Sequence, residues 1–268
     1  MTTALITGAA GAIGQAIAAA LGAAGMRLAL ADTDEAALAA ALSNGPATSA
    51  AALGNGPATS AAALGNGPAA PLNEGPTLHR LDVTDDSSCA DVVAAVVAAH
   101  GELSLLVNAA GIMVRSTALE TDTATFQRVL DVNLTGAYRM AKAAHAALAA
   151  SGGSIVSISS THAFLAAKAS FAYGVSKAGV SHMTRLLALE WAADGIRVNA
   201  VAPTVVPSAM TAGVLADPAY VNRKMAAIPL GAPIAPEHVA AAVAYLASPA
   251  AASTTGQILV LDGGESLA

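Results

Sequence analysis

The stretch Thr3-Ala-Leu-Ile-Thr7-Gly8-Ala9-Ala10-Gly11-Ala12-Ile13-Gly14 decides the fold. An apolar run, a glycine-rich turn and then Ile13, Ile17 and Leu21 at four-residue intervals describe a buried strand, a tight turn and a helix with one apolar face. Glycines let the backbone turn sharply and approach a pyrophosphate, while free N–H groups and the helix dipole attract its charge. The segment predicts a dinucleotide-binding unit in which Gly8, Gly11, Ala12, Ile13 and Gly14 surround the phosphates.

Outward from it, short apolar runs at residues 4–6, 28–31, 103–107, 154–158, 197–201 and 258–261 alternate with stretches of helical period. Strands that read as unbroken apolar runs are buried on both faces, so crossover helices must cover them. The expected architecture is α/β: a Rossmann-like, doubly wound parallel sheet of about seven strands. Residues 1–268 form one domain in this reading, with long helices through Phe126, Val129, Leu130 and Asn133 and from Tyr173 to about Trp191.

One segment departs from that pattern. Residues 44–54 (NGPATSAAALG) recur at 55–65, and a third copy begins at Asn66 before diverging. A Gly-Pro pair in each copy stops a continuous helix, so 43–72 is expected to be a low-complexity surface insertion without function.

Composition narrows the partners. With 11% charged residues, a net charge of −6 and no Lys/Arg cluster, a grip on nucleic acid or anionic lipid has no support, and a small molecule is the expected partner. Cys89 is the single cysteine and stands outside any metal-ligand spacing, so no metal site and a reducing, cytoplasmic setting are expected. Apolar runs are all interrupted before about 18 residues, and neither a membrane span nor an export signal is expected.

Asp32 closes the second apolar run, eighteen residues after Gly14, where an acid accepts hydrogen bonds from the adenosine ribose and repels a 2′-phosphate. No Arg or Lys lies in the glycine loop or next to Asp32, which predicts NAD rather than NADP; the alternative for Asp32 is a helix N-cap.

The spacing Thr-Gly-x-x-x-Gly-x-Gly resembles the short-chain dehydrogenase/reductases, and the resemblance runs along nearly the whole chain. It implies that Asp82 and Val83 contact the adenine. Asn108-Ala109-Ala110-Gly111 is similar to the family's Asn-Asn-Ala-Gly motif, with Ala109 replacing the second Asn. The resemblance also implies a homotetramer built through two long helices and the C-terminal strand region.

Tyr173-Gly-Val-Ser-Lys177 places a phenol and an ammonium on one helix face. An ordinary Tyr, with a pKa near 10, is ionised in only about one molecule in a thousand at neutral pH. A cation at about 4 Å, in an effective dielectric of about 20, contributes roughly 4 kcal/mol, or about three pK units. Lys177, helped by oxidised nicotinamide, is therefore expected to lower the Tyr173 pKa. Ser160 resembles the family's catalytic serine, and Asn133 the helical asparagine that anchors water in a proton relay. Together they imply hydride transfer between nicotinamide and an alcohol or carbonyl carbon, with Tyr173 as general acid/base, Ser160 orienting the reacting oxygen and Lys177 holding the nicotinamide ribose.

On the substrate side, Asn199-Ala-Val-Ala-Pro203-Thr204-Val205-Val206-Pro207-Ser208 resembles the family's Pro-Gly segment beside the nicotinamide, with Thr204 replacing Gly. Pro203, Val206 and Ser208 are the implied cofactor contacts, and residues 205–229 the substrate lid. Pro-Thr-Val-Val followed by Ile228-Pro229-Leu230-Gly231 looks like members acting on sugars and polyols, including xylulose reductases. His162, Met113, Arg115 and Phe164 are pocket candidates, with packing or surface roles as the alternative. A 3-oxoacyl thioester reductase, a non-catalytic dinucleotide-binding regulator and a nucleotide-sugar epimerase are the other readings.

Overall fold

A computed structural model describes residues 2–43 and 75–267; the repeat at 43–72 falls almost entirely outside them. Among the described residues seven parallel strands form one sheet: β1 (Thr3–Thr7), β2 (Arg27–Asp32), β3 (Thr77–Arg80), β4 (Leu105–Asn108), β5 (Ser154–Ile158), β6 (Arg197–Pro203) and β7 (Ile258–Leu261). Their order is β3-β2-β1-β4-β5-β6-β7. The helices are α1 (Ala12–Ala23), α2 (Glu35–Ser43), α3 (Asp86–His100), α4 (Thr123–Leu130), α5 (Gly136–Ser151), α6 (Phe171–Glu190), α7 (Ala209–Leu215), α8 (Pro218–Ala226) and α9 (Pro236–Ala247).

Strand alternation builds two cores. Ala4 and Ile6 of β1 point with Leu105 and Val107 of β4 toward α1 and α9, where Ile17, Leu21, Val239 and Val243 are buried. Leu5 points the other way with Leu106, Ile155 and Val198, against Cys89 and Val96 of α3, Met140 and Leu148 of α5 and Leu187 of α6. Every residue of β1, β4 and β5 is buried, as a sheet covered on both faces requires.

Three boundaries differ from the expected ones. The fourth strand starts at Leu105 rather than residue 103, because Ser104 donates its N–H to the Thr3 carbonyl at 2.9 Å in the approach to the sheet. The long helix expected through Asn133 is broken: α4 ends at Leu130, residues Asp131–Thr135 form a π turn, and α5 begins at Gly136. Arg139 of α5 holds that turn, with Nη1 2.8 Å from Asp131 Oδ1 and 3.3 Å from the Val83 carbonyl. Residues 205–229, expected as a lid, include the two short helices α7 and α8.

The strand order reverses its direction of growth between β1 and β4. Loops leaving the two strands there diverge to opposite faces and leave a crevice at their carboxyl ends.

Candidate active site

Loops after β1, β2, β3 and β4 border one cleft of about 420 Å³. Gly8, Gly11, Ala12, Ile13, Gly14, Asp32, Asp82, Val83, Ala109, Gly111 and Ser208 line it. Gly8 has φ +65°, and a Cβ there would lie 2.7 Å from the Ala110 backbone, so only glycine lets the β1 loop pass under the β4 loop. A Cβ on Gly14 would lie 2.4 Å from the Gly8 carbonyl oxygen. Gly11 is different: its Cβ would meet only the Gly8 oxygen, at 3.4 Å. Close packing within the chain therefore demands glycine at 8 and 14, while the bare side of Gly11 opens into the cleft. Beyond it, the first N–H groups of α1 have no partner within their helix.

Asp32 ends β2 and its Oδ2 accepts the Ala10 N–H at 3.0 Å, pinning the glycine loop to the second strand. It is not the cap of α2: Asp34 takes that part, its Oδ1 accepting the Ala37 N–H at 2.9 Å. Asp82 accepts the Thr84 N–H and hydroxyl at 2.9 and 2.7 Å, and these bonds hold its carboxyl below the usual range. Val83 is buried at the cleft wall.

Other expected contacts lie behind this surface. Asn108 is buried, donating to the Ala137 carbonyl at 3.3 Å and to Ser157 Oγ at 3.5 Å, with no partner for its Oδ1 among the described residues. Pro203 and Val206 are buried too, and the Val206 carbonyl accepts the Thr211 hydroxyl at 2.6 Å. Ser208 opens α7 in a capping box with Thr211. A residue not among the expected ones organises the crevice: the Thr7 hydroxyl accepts the N–H groups of both Ala109 and Ala110 at 3.2 Å. Thr33, Leu81, Ala110, Ile112, Val132, Ala209 and Met210 also line the cleft. Most neighbour a motif residue, and that adjacency is the signal that could have found them.

The second half of the site is the seam between the end of β5 and the first turns of α6, where three successive residues are tied across. The Lys177 ammonium donates to the Ile158 carbonyl at 2.7 Å, and the Ser159 hydroxyl to the Lys177 carbonyl at 3.1 Å. Ser160 hydrogen-bonds the Tyr173 side chain. Tyr173 is half-buried, with the Lys177 ammonium 5.6 Å from its ring centroid. Ser160 lies two residues beyond the strand, capping the short turn Thr161–Ala163, with its Oγ accepting the His162 N–H at 3.2 Å.

Burial sets the electrostatics of the seam. Burial pushes the Tyr173 phenol above its ordinary pKa, opposed by the Ser160 hydrogen bond and then by the Arg115 charge. The Lys177 ammonium donates one of its three hydrogens to the Ile158 carbonyl, and burial lowers its own pKa to about 8. Asn133 has no amide hydrogen left for a water: its Nδ2 donates to the Ile112 carbonyl at 2.9 Å and to Ser176 Oγ at 3.0 Å, while Oδ1 accepts the Ile112 N–H at 2.8 Å. A Cβ on Gly111 would lie 3.3 Å from Asn133 Oδ1 and 3.7 Å from Lys177 Nζ, so the bare Gly111 marks where the two approach.

Of the pocket candidates, His162 stacks edge-on against Tyr173 with centroids 5.7 Å apart. Its imidazole is held neutral, with the pKa lowered by burial and then by the Lys224 and Arg115 charges. Phe164 is exposed, and Met113 is half-buried in the loop after β4. Thr204 donates its hydroxyl to Glu265, whose other oxygen pairs with Lys224 of α8. Among the described residues no cluster of three His, Cys, Asp or Glu could hold a metal, and no helix is long and apolar enough to cross a membrane.

The family model described as Enoyl-(Acyl carrier protein) reductase matches residues 59–266. The chain is a short-chain dehydrogenase/reductase. It is 43% identical over 188 residues to the cis-4-hydroxycyclohexanecarboxylate dehydrogenase of Sinomonas cyclohexanicum, covering 69% of this chain and 74% of that one. It is 41% identical over 186 residues to the galactitol 2-dehydrogenase (L-tagatose-forming) of Cereibacter sphaeroides, covering 68% and 73%. The crystal structure of a short-chain type dehydrogenase/reductase from Mycobacterium ulcerans superposes with a TM-score of 0.85 at 28% identity, over 99% of this chain and 90% of that one. The short-chain dehydrogenase/reductases are oxidoreductases that generally use NAD or NADP, and the cleft fits such a group: a helix N-terminus, the bare face of Gly11 and a carboxylate at the end of β2.

Proposed function

We propose that the chain is an NAD(H)-dependent dehydrogenase that interconverts a secondary alcohol, a polyol or sugar, with its ketone. The observation that carries this reading is the meeting of Ser160, Tyr173 and Lys177 at the β5–α6 seam, beside a cleft lined by the glycine loop. The dinucleotide, when bound, supplies the hydride acceptor or donor. Tyr173 takes the alcohol proton during oxidation and returns it during reduction. Ser160 holds the reacting oxygen, and Lys177 holds the ribose next to the nicotinamide. Asn133 fixes Ile112 and Ser176 around them.

Preference for NAD rests on Asp32 in the cleft wall and on the lack of Arg or Lys among the cleft-lining residues described. Similarity to the galactitol dehydrogenase supports a polyol. The description of the matched family model favours a second reading, reduction of an acyl thioester. Asp32 speaks against it, because thioester reductases of fatty-acid synthesis usually take NADPH. A panel of polyols, cyclic alcohols and acyl thioesters separates the two.

Tyr173→Phe tests the reaction. It is expected to bind NADH like the parent chain and to lose about a thousandfold or more in kcat; substantial residual oxidation defeats the assignment.

We also propose a homotetramer. Tyr138 on α5 and Leu186 and Leu189 on α6 leave large apolar side chains exposed at 43%, 46% and 78%, on the helices expected at the interface. Sedimentation at a monomer mass would overturn this.

A further inference from the structure

The His162 ring touches Tyr173, and the proton-transfer machinery gives it nothing to do. The turn that carries it is held on two sides: its N–H donates to Ser160 Oγ at 3.2 Å, and its carbonyl oxygen packs on α6, 3.3 Å from where a Cβ on Gly174 would stand. The imidazole lies edge-on to Tyr173, with centroids 5.7 Å apart and planes at 86°. No hydrogen bond joins either ring nitrogen to another described residue. Nδ1 is sealed inside the chain, whereas Nε2 retains access.

A neutral imidazole carries one N–H and one bare lone pair. An N–H sealed in the chain without an acceptor forfeits a hydrogen bond, at about 1–3 kcal/mol, and a bare lone pair is the lesser loss. The proton therefore sits on Nε2, which presents a donor beside the Tyr173 ring. Charges near the ring do not recruit it for an ion: Lys224 and Glu265 pair with each other, Arg115 is exposed, and the ring itself stays neutral.

We propose that His162 is a specificity-determining residue whose Nε2–H donates to a second oxygen of the substrate, a hydroxyl on the carbon next to the reacting one. Because the two rings touch, a substrate whose reacting oxygen meets the Tyr173 hydroxyl brings its neighbouring oxygen, rather than a distant one, to the imidazole. A neutral donor suits a neutral acceptor, in keeping with an uncharged polyol. The inference rests on the dehydrogenase reading, and narrows its substrate to vicinal diols.

Matched substrates test it. The kcat/KM of the full chain, with whichever of NAD or NADP it uses, is compared between cyclohexanol and each stereoisomer of the vicinal cyclohexanediol. The best diol is expected to exceed cyclohexanol by about tenfold or more. His162→Phe keeps a ring against Tyr173 and removes both nitrogens, and should bring the ratio to within about twofold. His162→Gln, which keeps an N–H donor, should restore part of it. A second measurement needs no variant: with the reduced dinucleotide bound neither alcohol can react, and the diol alone should shift the magnetic resonances of the His162 ring nitrogens. No preference for a diol, a preference that survives His162→Phe, ring resonances that move equally with both alcohols, or oxidation of neither overturns the inference. If the wider panel of polyols and cyclic alcohols is not oxidised either, the dehydrogenase reading itself falls, and this inference with it.

Discussion

Asn133 holds the peptide groups of Ile112 by both ends, accepting its N–H at 2.8 Å and donating to its carbonyl at 2.9 Å, from a π turn that interrupts the helix between α4 and α5. That pair keeps the loop after β4 at a set distance from α6, and Gly111 leaves room for it. Removing the amide strands two backbone groups. Asn133→Ala is expected to lose about 2 kcal/mol or more of stability in urea unfolding and to lower kcat. Unchanged values for both would show that the loop is held by other contacts.

Lys177 makes stability depend on pH in a defined window. Its pKa is about 8 in the folded chain and about 10.5 when unfolded, so between those values the unfolded chain binds the extra proton and stability rises with pH. The difference in unfolding free energy between the parent and Lys177→Met should shift by about 2.5 kcal/mol in favour of the parent from pH 7 to pH 10. A flat difference would mean that the ammonium is not desolvated.

His79 sets the acid side. Its Nε2 is 2.9 Å from the Thr77 hydroxyl, which also meets His100 Nε2 at 3.1 Å, and its pKa is lowered by burial and then by His100. A lowered folded pKa means that the neutral ring is favoured in the fold. The stabilisation is present above the unfolded pKa of about 6.5 and is lost as pH falls from there through the folded value. Urea midpoints should drop from pH 7.5 to pH 5, and drop less in His79→Gln.

Asp32 should govern the choice of dinucleotide. Asp32→Ser is expected to lower the ratio of kcat/KM for NAD to that for NADP by about tenfold or more. Because Asp32 also anchors Ala10, some loss with NAD itself is expected, and a ratio that stays constant would count against the carboxylate's role.

Glu265 joins three parts of the chain, accepting from Thr204 at the end of β6 and pairing with Lys224 on α8. Glu265→Ala removes the carboxylate that pairs with Lys224, whose side chain is only 14% exposed. Proteolysis between residues 209 and 227 should accelerate and KM for the alcohol rise several-fold, if these helices close over the substrate; equal cleavage rates would show that the segment is held independently.

Much of this was legible before any coordinates. The glycine loop, Asp32 and the four-residue step from Tyr173 to Lys177 are local patterns, and local spacing carries over into structure because helix and strand periods are constant. The third strand is placed before Asp82 by the family resemblance but not bounded, because Thr77–Arg80 is a short outer strand of alternating burial, with His79 and Arg80 in place of an apolar run. The break at Asn133 was missed because Phe126, Val129 and Leu130 keep a helical period, while the extra residue of a π turn serves the tertiary contact to Ile112.

By itself the sequence determined the doubly wound sheet, the phosphate loop and the identity of the groups at the β5–α6 seam, since each depends on residues near one another in the chain. Only the tertiary structure decided that the Lys177 ammonium donates to the Ile158 carbonyl, that burial raises the Tyr173 phenol, and that Thr204 and Lys224 share Glu265 across 61 and 41 residues. Those outcomes follow from burial and from which strand ends the topology brings together, quantities that no spacing along the chain contains.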